Sequence, residues 1–138
     1  MECDEVIVID THVAIWLTTE NPRLGIRSRT ICEQALNDGE LAISAISFWE
    51  MAMLTAKGRL GAATSPAQHR RVIIDGGAQE LPVSGDIAIL GAEIDGLPGD
   101  PADRLIAATA IHHNATLLTA DRALLSWDNP LRRQDAAR

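Results

Sequence analysis

Four acidic residues far apart in the chain have the types and positions that could do chemistry: Asp10, Glu50, Asp103 and Asp121. Asp10 follows a β-branched run at 6–9, and Asp121 follows a similar run at 115–119. Each run predicts a strand that is buried on both faces. Because ligands of open α/β sheets bind outside the carboxyl ends of strands, we expect these two carboxylates to share one crevice.

Helical periodicity predicts where the other two acids lie. The segment 46–54 predicts a helix with one inward apolar stripe, and Glu50 falls on that stripe together with Ile46, Trp49, Met53 and Leu54. A carboxylate at such a position needs a cation, hydrogen bonds or a solvent-filled cleft beside it. Asp103 is in a similar position, since it shares a helical face with Ile106, Ala107, Ala110 and Ile111.

Each acid also has an alternative explanation in local structure. Asp10 and Asp103 could favour helix N-termini, and Asp121 could be a turn residue. Glu50 could pair with Lys57 or Arg59. Each alternative explains one residue, whereas a shared site explains all four.

Crowded carboxylates repel one another, and a hard divalent cation relieves that repulsion. Mg²⁺ or Mn²⁺ fits an all-oxygen set of ligands best. Some acids would bind the ion, and others would orient or deprotonate an attacking water, as in metal-assisted phosphodiester hydrolysis. Zinc is disfavoured because Cys3 and Cys32 are isolated and the four histidines show no zinc-binding spacing.

The sequence around these acids resembles the PIN-domain ribonucleases, and most closely their VapC-like toxins. The resemblance covers nearly the whole chain in the right order, through segments 9–16, 44–50, 100–107 and 117–121. It implies a single PIN-like domain over residues 1–138. It also implies an Mg²⁺- or Mn²⁺-dependent endoribonuclease that is the toxin of a bacterial type II toxin–antitoxin pair and is inhibited by a small antitoxin protein.

The resemblance also implies a role for each acid. Asp10 and Asp103 would be the main metal ligands, and Glu50 and Asp121 would complete the catalytic pocket through waters or a second ion. The hydroxyl groups of residues 11 and 119, both threonines, would orient a ligand or a water.

Asp100 competes with Asp103 for the third acidic position. It lies one helical turn earlier, and Pro101 between them suits the first turn of a helix. We therefore interpret Asp100 as a helix N-cap and assign the third position to Asp103.

The expected partners are an RNA substrate, the cognate antitoxin and a second copy of the chain in a homodimer. Segments 15–17 and 48–54 carry more large apolar side chains than one helix face can bury, which predicts a groove for an antitoxin helix. A basic antitoxin residue would then enter the acidic pocket and pair with Asp10, Glu50 or Asp103. We interpret Trp16 and Trp49 as packing residues rather than platforms for RNA bases.

The charge and composition restrict how RNA could bind. A net charge of −7 over 138 residues disfavours broad, sequence-independent affinity for RNA, so contacts with phosphates must be local. The candidate cations are Lys57, Arg59, Arg70, Arg71, Arg104, Arg122, Arg132, Arg133 and Arg138. The acidic start of the sequence, the unpaired cysteines and the lack of a long apolar run predict a cytoplasmic protein with no membrane partner.

Strand and helix patterns alternate along the chain. Strands are predicted at 6–9, 41–44, 81–83 and 115–119, and helices at 11–18, 28–36, 46 to about 58, 66–75, 86–94 and around Asp103. Gly58 and Gly61 are predicted to end the third helix. This order predicts a three-layer α/β/α fold with a mostly parallel central sheet.

Two other functions share this pattern of elements. A phosphotransfer or receiver-like domain would use Asp10 as a phosphoacceptor, but the sequence has no Asp-x-Asp pair after the first strand and no lysine at a later strand end. A non-catalytic binding module would keep the fold without the chemistry, and the intact set of four acids argues against it.

Overall fold

A computed structural model describes residues 5–59 and 65–138 of the chain. The elements run in the order β1 (Ile7–Ile9), α1 (Thr11–Thr18), α2 (Ile26–Asp38), β2 (Leu41–Ser44), α3 (Ile46–Ala56), α4 (Pro66–Asp75), β3 (Gln79–Leu81), α5 (Gly85–Glu93), α6 (Pro101–His112), β4 (Thr116–Thr119), α7 (Arg122–Ser126) and β5 (Arg133–Asp135). None of the helices in these two ranges is long and apolar enough to cross a lipid bilayer.

The five strands form one parallel sheet in the order β3-β2-β1-β4-β5. The chain moves outward from β1 to β2 and β3, and then crosses back to place β4 on the other side of β1. Such a reversal of strand order opens a crevice at the carboxyl ends of the two central strands. Asp10 and Asp121 both follow strands that end at this crevice.

Helices cover both faces of the sheet, which gives the predicted three layers. Alternate side chains of β1 point to opposite faces. Ile7 and Ile9 pack into a core cluster with Val13 of α1, whereas Val8 packs into a second cluster with Ile106 of α6. The clusters contain most of the fully buried apolar side chains, and they fix the sheet between the two helical layers.

Most elements predicted from sequence are confirmed, with small shifts at their ends. Helix α1 and strand β2 match their predicted ranges. The predicted strand at 81–83 lies instead at 79–81, paired with β2. Strand β5 and helix α7 were missed. Of the two glycines predicted to end α3, Gly58 adopts a positive φ just after the helix, and Gly61 lies outside the described residues.

The predicted inward stripe of α3 is wrong. The helix buries Ser47 and Met51, while Trp49 is 51% exposed and Met53 is 38% exposed. Large apolar residues lie on several sides of this helix, so the spacing alone could not identify the buried side. Helix α3 packs against α1, α4, α6 and β2, and this packing buries Ser47 and Met51 and leaves Trp49 facing outward.

Two of the nine candidate RNA-binding cations are structural instead. The Arg104 guanidinium group, on α6, donates to the main-chain carbonyls of Gly91, Ala92, Ile94 and Leu97, and so joins α6 to the end of α5 and to the loop between the two helices. The Arg133 guanidinium group donates to four carbonyls between residues 124 and 131. An arginine with its donors used in this way is not free to bind phosphate.

Candidate active site

The crevice at the end of β1 and β4 contains a cavity of about 360 Å³, which we call the acidic cavity. Five carboxylates and one arginine contribute to its wall, which is formed by Asp10, His12, Trp16, Glu50, Leu54, Arg59, Asp100, Asp103, Ala120 and Asp121. All four acids singled out from the sequence therefore reach one place. The sheet supplies Asp10 and Asp121, and the flanking helices supply the others.

Asp10 is held firmly at the floor of the cavity and is only 5% exposed. One carboxylate oxygen, Oδ1, accepts from the Thr11 backbone N–H at 2.7 Å, and the other, Oδ2, accepts from the Thr119 hydroxyl at 2.6 Å. Burial raises the pKa of Asp10, and these hydrogen bonds oppose the rise. Each oxygen retains a lone pair beyond its hydrogen bond, so the side chain is still able to bind a cation.

A chain of hydroxyl groups fixes Glu50. The Thr11 hydroxyl donates to Glu50 Oε1 at 2.5 Å, and Thr11 Oγ1 lies 3.0 Å from Ser47 Oγ. Because Thr11 has a single hydroxyl proton, the Ser47 hydroxyl is the donor of the second bond. Burial raises the pKa of Glu50, and nearby Asp10 and Asp100 add to the rise. The hydrogen bond from Thr11 favours the ionised carboxylate and so opposes this rise in pKa.

Asp121 caps α7 and faces the same cavity. Its Oδ1 accepts from the backbone N–H groups of Ala123 and Leu124, at 2.8 and 3.3 Å. Its own N–H donates to the hydroxyl of Thr119, which also holds Asp10. Asp121 is therefore a helix N-cap rather than the turn residue of the local alternative, and this role does not remove it from the cavity.

Asp103, Asp100 and Glu50 form the tightest acidic group, and we call them the acidic triad. One oxygen from each carboxylate can be chosen so that all three lie within 4.8 Å of one another. Burial, together with the charges of Asp10, Asp100, Asp121 and Glu50, raises the pKa of Asp103 to about 8. Asp103 therefore binds a proton at neutral pH unless another positive charge replaces it.

Asp100 has a second role in the structure besides capping a helix, the role that the sequence indicated. Asp100 caps α6 as predicted, with Oδ1 accepting from the Ala102 N–H at 3.0 Å. The same side chain also belongs to the acidic triad, one turn before Asp103. Spacing along the helix could have predicted this, because residues three apart lie on the same side of a helix.

The donor set of the cavity suits a hard divalent cation. It consists of carboxylate oxygens, which Mg²⁺ and Mn²⁺ prefer. Burial and the crowding of these carboxylates raise the pKa of Asp103, and a bound cation would lower that pKa again. Cys32 is buried in the core, where burial raises the pKa of its thiol to about 12, so it is not a metal ligand. The residues therefore fit such an ion, with the acidic triad and Asp10 as the available ligands.

A carboxylate-lined cavity at the central strand ends of a parallel α/β sheet can support metal-dependent phosphodiester chemistry. The sequence pattern of the PIN domain matches residues 7–128. The chain is 34% identical over 125 residues to ribonuclease VapC22 of Mycobacterium tuberculosis. These residues cover 90% of this chain and 93% of that protein. The chain therefore belongs to the PIN-domain family.

Solved structures show the same fold at lower identity. The chain is 20% identical to a chain of VapBC2 from Rickettsia felis bound to a DNA fragment from its promoter, with a TM-score of 0.68 over 94% of this chain and 98% of that one. It is 23% identical to a chain of VapBC-1 from nontypeable Haemophilus influenzae, with a TM-score of 0.66 over 96% and 99% of the two chains. These similarities confirm the predicted three-layer fold.

Proposed function

We propose that this protein is a metal-dependent endoribonuclease and the toxin of a toxin–antitoxin pair. The single observation that carries this proposal is the meeting of five carboxylates in one cavity of a PIN domain. The 34% identity to a ribonuclease VapC22 over nearly the full length of both chains supports RNA as the substrate. RNA cleavage by the purified protein, lost when a chelator is added, tests the proposal.

The acidic triad and Asp10 would hold Mg²⁺ or Mn²⁺ between them, and Asp121 would act from the edge of the cavity through water. An ion bound there would neutralise the crowded carboxylates, stabilise charge on the reacting phosphate and lower the pKa of a bound water. The protein's own contribution is to hold the carboxylates in position. Burial and fixed hydrogen bonds keep Asp10 and Glu50 aimed into the cavity before substrate arrives.

The phosphotransfer alternative has a geometric problem. A phosphoacceptor carboxylate must be open to an incoming phosphoryl donor, but Asp10 is 5% exposed and both of its oxygens accept hydrogen bonds. Crowding by Asp100 and Asp103 would also repel a phosphoryl group in the absence of a cation. No observation in the described residues favours this reading over hydrolysis.

Substitutions at Thr11 test whether the hydroxyl groups that hold Glu50 affect RNA cleavage. We expect Thr11→Val to lower kcat by about tenfold, because it removes the hydroxyl that orients Glu50, and supporting residues of metal sites typically matter by 10–100-fold. Thr11→Ser keeps the hydroxyl and should restore most of the activity. Steady-state cleavage rates of the two variants and the wild type, at matched thermal stability, measure the effect. Equal rates for Thr11→Val and wild type would remove Thr11 from this role.

We also propose a cognate antitoxin as the physiological partner. The solved relatives are described as VapBC proteins, and a toxin that cleaves RNA requires an inhibitor in the cell that makes it. We propose that the antitoxin groove lies at the first of the two expected segments, 15–17. Ile15, Trp16 and Leu17 pack largely onto the first core cluster, but Leu17 also lines an apolar cavity of about 380 Å³. Residues of α1, α2 and α4 line it, including Leu36 and Val72. In the second expected segment, 48–54, Trp49 and Met53 are exposed and line a different cavity.

A substitution at Val72 should weaken antitoxin binding without affecting catalysis. It is 55% exposed on α4, it lines the apolar cavity, and it is absent from the wall of the acidic cavity. We expect Val72→Asp to weaken antitoxin binding by at least about tenfold, because it places a charge in an apolar contact. RNA cleavage should be unchanged. Titration calorimetry with the purified antitoxin measures the affinity, and Ile89→Asp, an exposed site on α5, is the matched control. Unchanged affinity in Val72→Asp would place the groove elsewhere.

We propose that the toxin is a homodimer in the cytoplasm. Sedimentation of the purified protein tests the first of these statements, and fractionation of cells that express it tests the second.

A further inference from the structure

Trp49 is the most conspicuous residue that the catalytic network does not use. It directly precedes Glu50 on α3, yet its indole ring is 51% exposed. An exposed tryptophan beside a charged cavity calls for an explanation, since burying that ring elsewhere would stabilise the fold. Trp16 and Trp127 differ from it, because Trp16 is half-buried and Trp127 is buried with its indole N–H donated to the Asp95 carbonyl.

Trp49 lines a second cavity of about 360 Å³ that continues the acidic cavity. The two cavities share four lining residues, among them Glu50 and Asp100 of the acidic triad. A polymer whose phosphate lies at the triad would therefore extend directly past Trp49. Met53 follows Trp49 by one helical turn and is 38% exposed, so the two side chains form a continuous apolar surface on α3.

The same cavity carries positive charge, which is scarce in this protein. Lys57 and Arg59 line it, and both are exposed. Within residues 5–59 and 65–138, neither side chain takes part in an ion pair, whereas Arg70, Arg132 and Arg138 each pair with an acid. Trp49 and Lys57 are eight residues apart, which places the cation about 12 Å further along α3. An aromatic ring followed by unpaired cations is the arrangement that binds single-stranded nucleic acid.

We propose that Trp49 stacks on an unpaired base of the RNA next to the scissile phosphate, that Arg59, which lines both cavities, binds the phosphate between them, and that Lys57 binds a phosphate beyond the base. This subsite rests on the proposed ribonuclease function and adds how the substrate is held. It gives the enzyme a reason to prefer single-stranded or loop RNA, because a base inside a duplex cannot present its face to a side chain. It also explains how a protein with a net charge of −7 binds RNA through a local patch.

Kinetics on a single-stranded RNA oligonucleotide test the stacking contact. Trp49→Ala should raise KM by about tenfold, within the range of stacking on one base, and leave kcat within about threefold. Trp49→Phe should keep most of the affinity, because it retains an aromatic face. Ile89→Ala removes a similarly exposed apolar side chain outside both cavities and should change neither constant. An unchanged KM in Trp49→Ala would overturn the proposal.

Salt dependence tests the cations. The double variant Lys57→Gln/Arg59→Gln should reduce the slope of log affinity against log salt by about 0.7 for each phosphate contact that is lost. Binding is measured with the same oligonucleotide in an Asp10→Asn background, where tryptophan fluorescence should be quenched on binding and Trp49→Phe should remove most of that quenching. An unchanged salt slope, or quenching that persists in Trp49→Phe, would contradict the subsite.

The outcomes separate this proposal from the one on which it rests. Wild-type protein that fails to cleave any RNA would reject the ribonuclease function. Wild-type protein that cleaves RNA with a KM insensitive to Trp49 would reject the subsite alone. If Trp49→Ala instead dissociates a dimer, and RNA does not quench the wild-type fluorescence, the exposed ring belongs to an interface between two copies of the chain, and the subsite is again rejected.

Discussion

Asp103→Asn is expected to lower the rate of RNA cleavage by at least about 10³-fold, which corresponds to roughly 4 kcal/mol of transition-state stabilisation. Asp103 lies in the acidic triad, where burial and then the surrounding carboxylates raise its pKa. The change to Asn keeps the shape of the side chain and removes the charge. Asp10→Asn and Glu50→Gln should have comparable effects, since each also removes a carboxylate aimed into the cavity.

Two further variants make this prediction specific. Asp121→Asn should reduce the rate by only about tenfold, because Asp121 acts from the edge of the cavity and water can replace part of its role. Asp38→Asn removes an exposed acid at the end of α2, far from the cavity wall, and should leave the rate unchanged. Initial rates on one RNA substrate, with thermal melts to check folding, measure all five variants. Cleavage by Asp103→Asn at the wild-type rate would remove Asp103 from the mechanism.

The second large effect is the stabilisation of the fold by Mg²⁺ or Mn²⁺, which should grow with pH. Asp103 has a pKa of about 8 in the folded chain and 3.8 as a free group. Because its folded pKa is raised, its contribution to the stability of the metal-free protein is full below about pH 4 and is lost as the pH rises through 8. Metal binding instead becomes stronger as the pH rises, since the ion must displace the proton of Asp103.

The pH dependence of metal binding is therefore measurable as a change in the apparent affinity for Mg²⁺ or Mn²⁺. Below pH 8, each unit of pH should strengthen binding of the ion by about tenfold, for release of one proton. The shift in melting temperature at fixed metal concentration should rise accordingly between pH 6 and pH 8. Asp103→Asn should flatten this dependence, and Asp38→Asn should not. A shift that is the same at both pH values in the wild type would contradict the assignment of Asp103 as a ligand.

The convergence of Asp10, Asp121 and Asp103 could be predicted because strong local signals place each one, whereas Glu50 reaches the cavity although the predicted stripe of α3 was wrong. Asp10 and Asp121 follow apolar β-branched runs, and both strands proved to be central and parallel. Asp103 lies on a helix whose buried face is clear from Ile106, Ala107 and Ala110. In these cases the residues alone determine both the element and its orientation.

Other features depend on packing that a single sequence does not encode locally. Strand β5 has the polar sequence Arg-Gln-Asp and becomes a strand because the open edge of β4 offers backbone partners. Helix α3 is apolar on several sides, so its exposed face, which includes Trp49, is determined only by its packing against α1, α4, α6 and β2. The second role of Asp100 was hidden by its correct prediction as an N-cap.

Single-turnover cleavage of RNA in ¹⁸O-labelled water, followed by mass spectrometry of the product ends, shows most directly whether water activated at the acidic cavity hydrolyses RNA in a metal-dependent reaction. We expect one ¹⁸O atom in the terminal phosphate, cleavage that stops in excess chelator and returns with Mg²⁺ or Mn²⁺, and no product with Asp10→Asn. A product ending in an unlabelled 2′,3′-cyclic phosphate, or full activity in excess chelator, would contradict this mechanism.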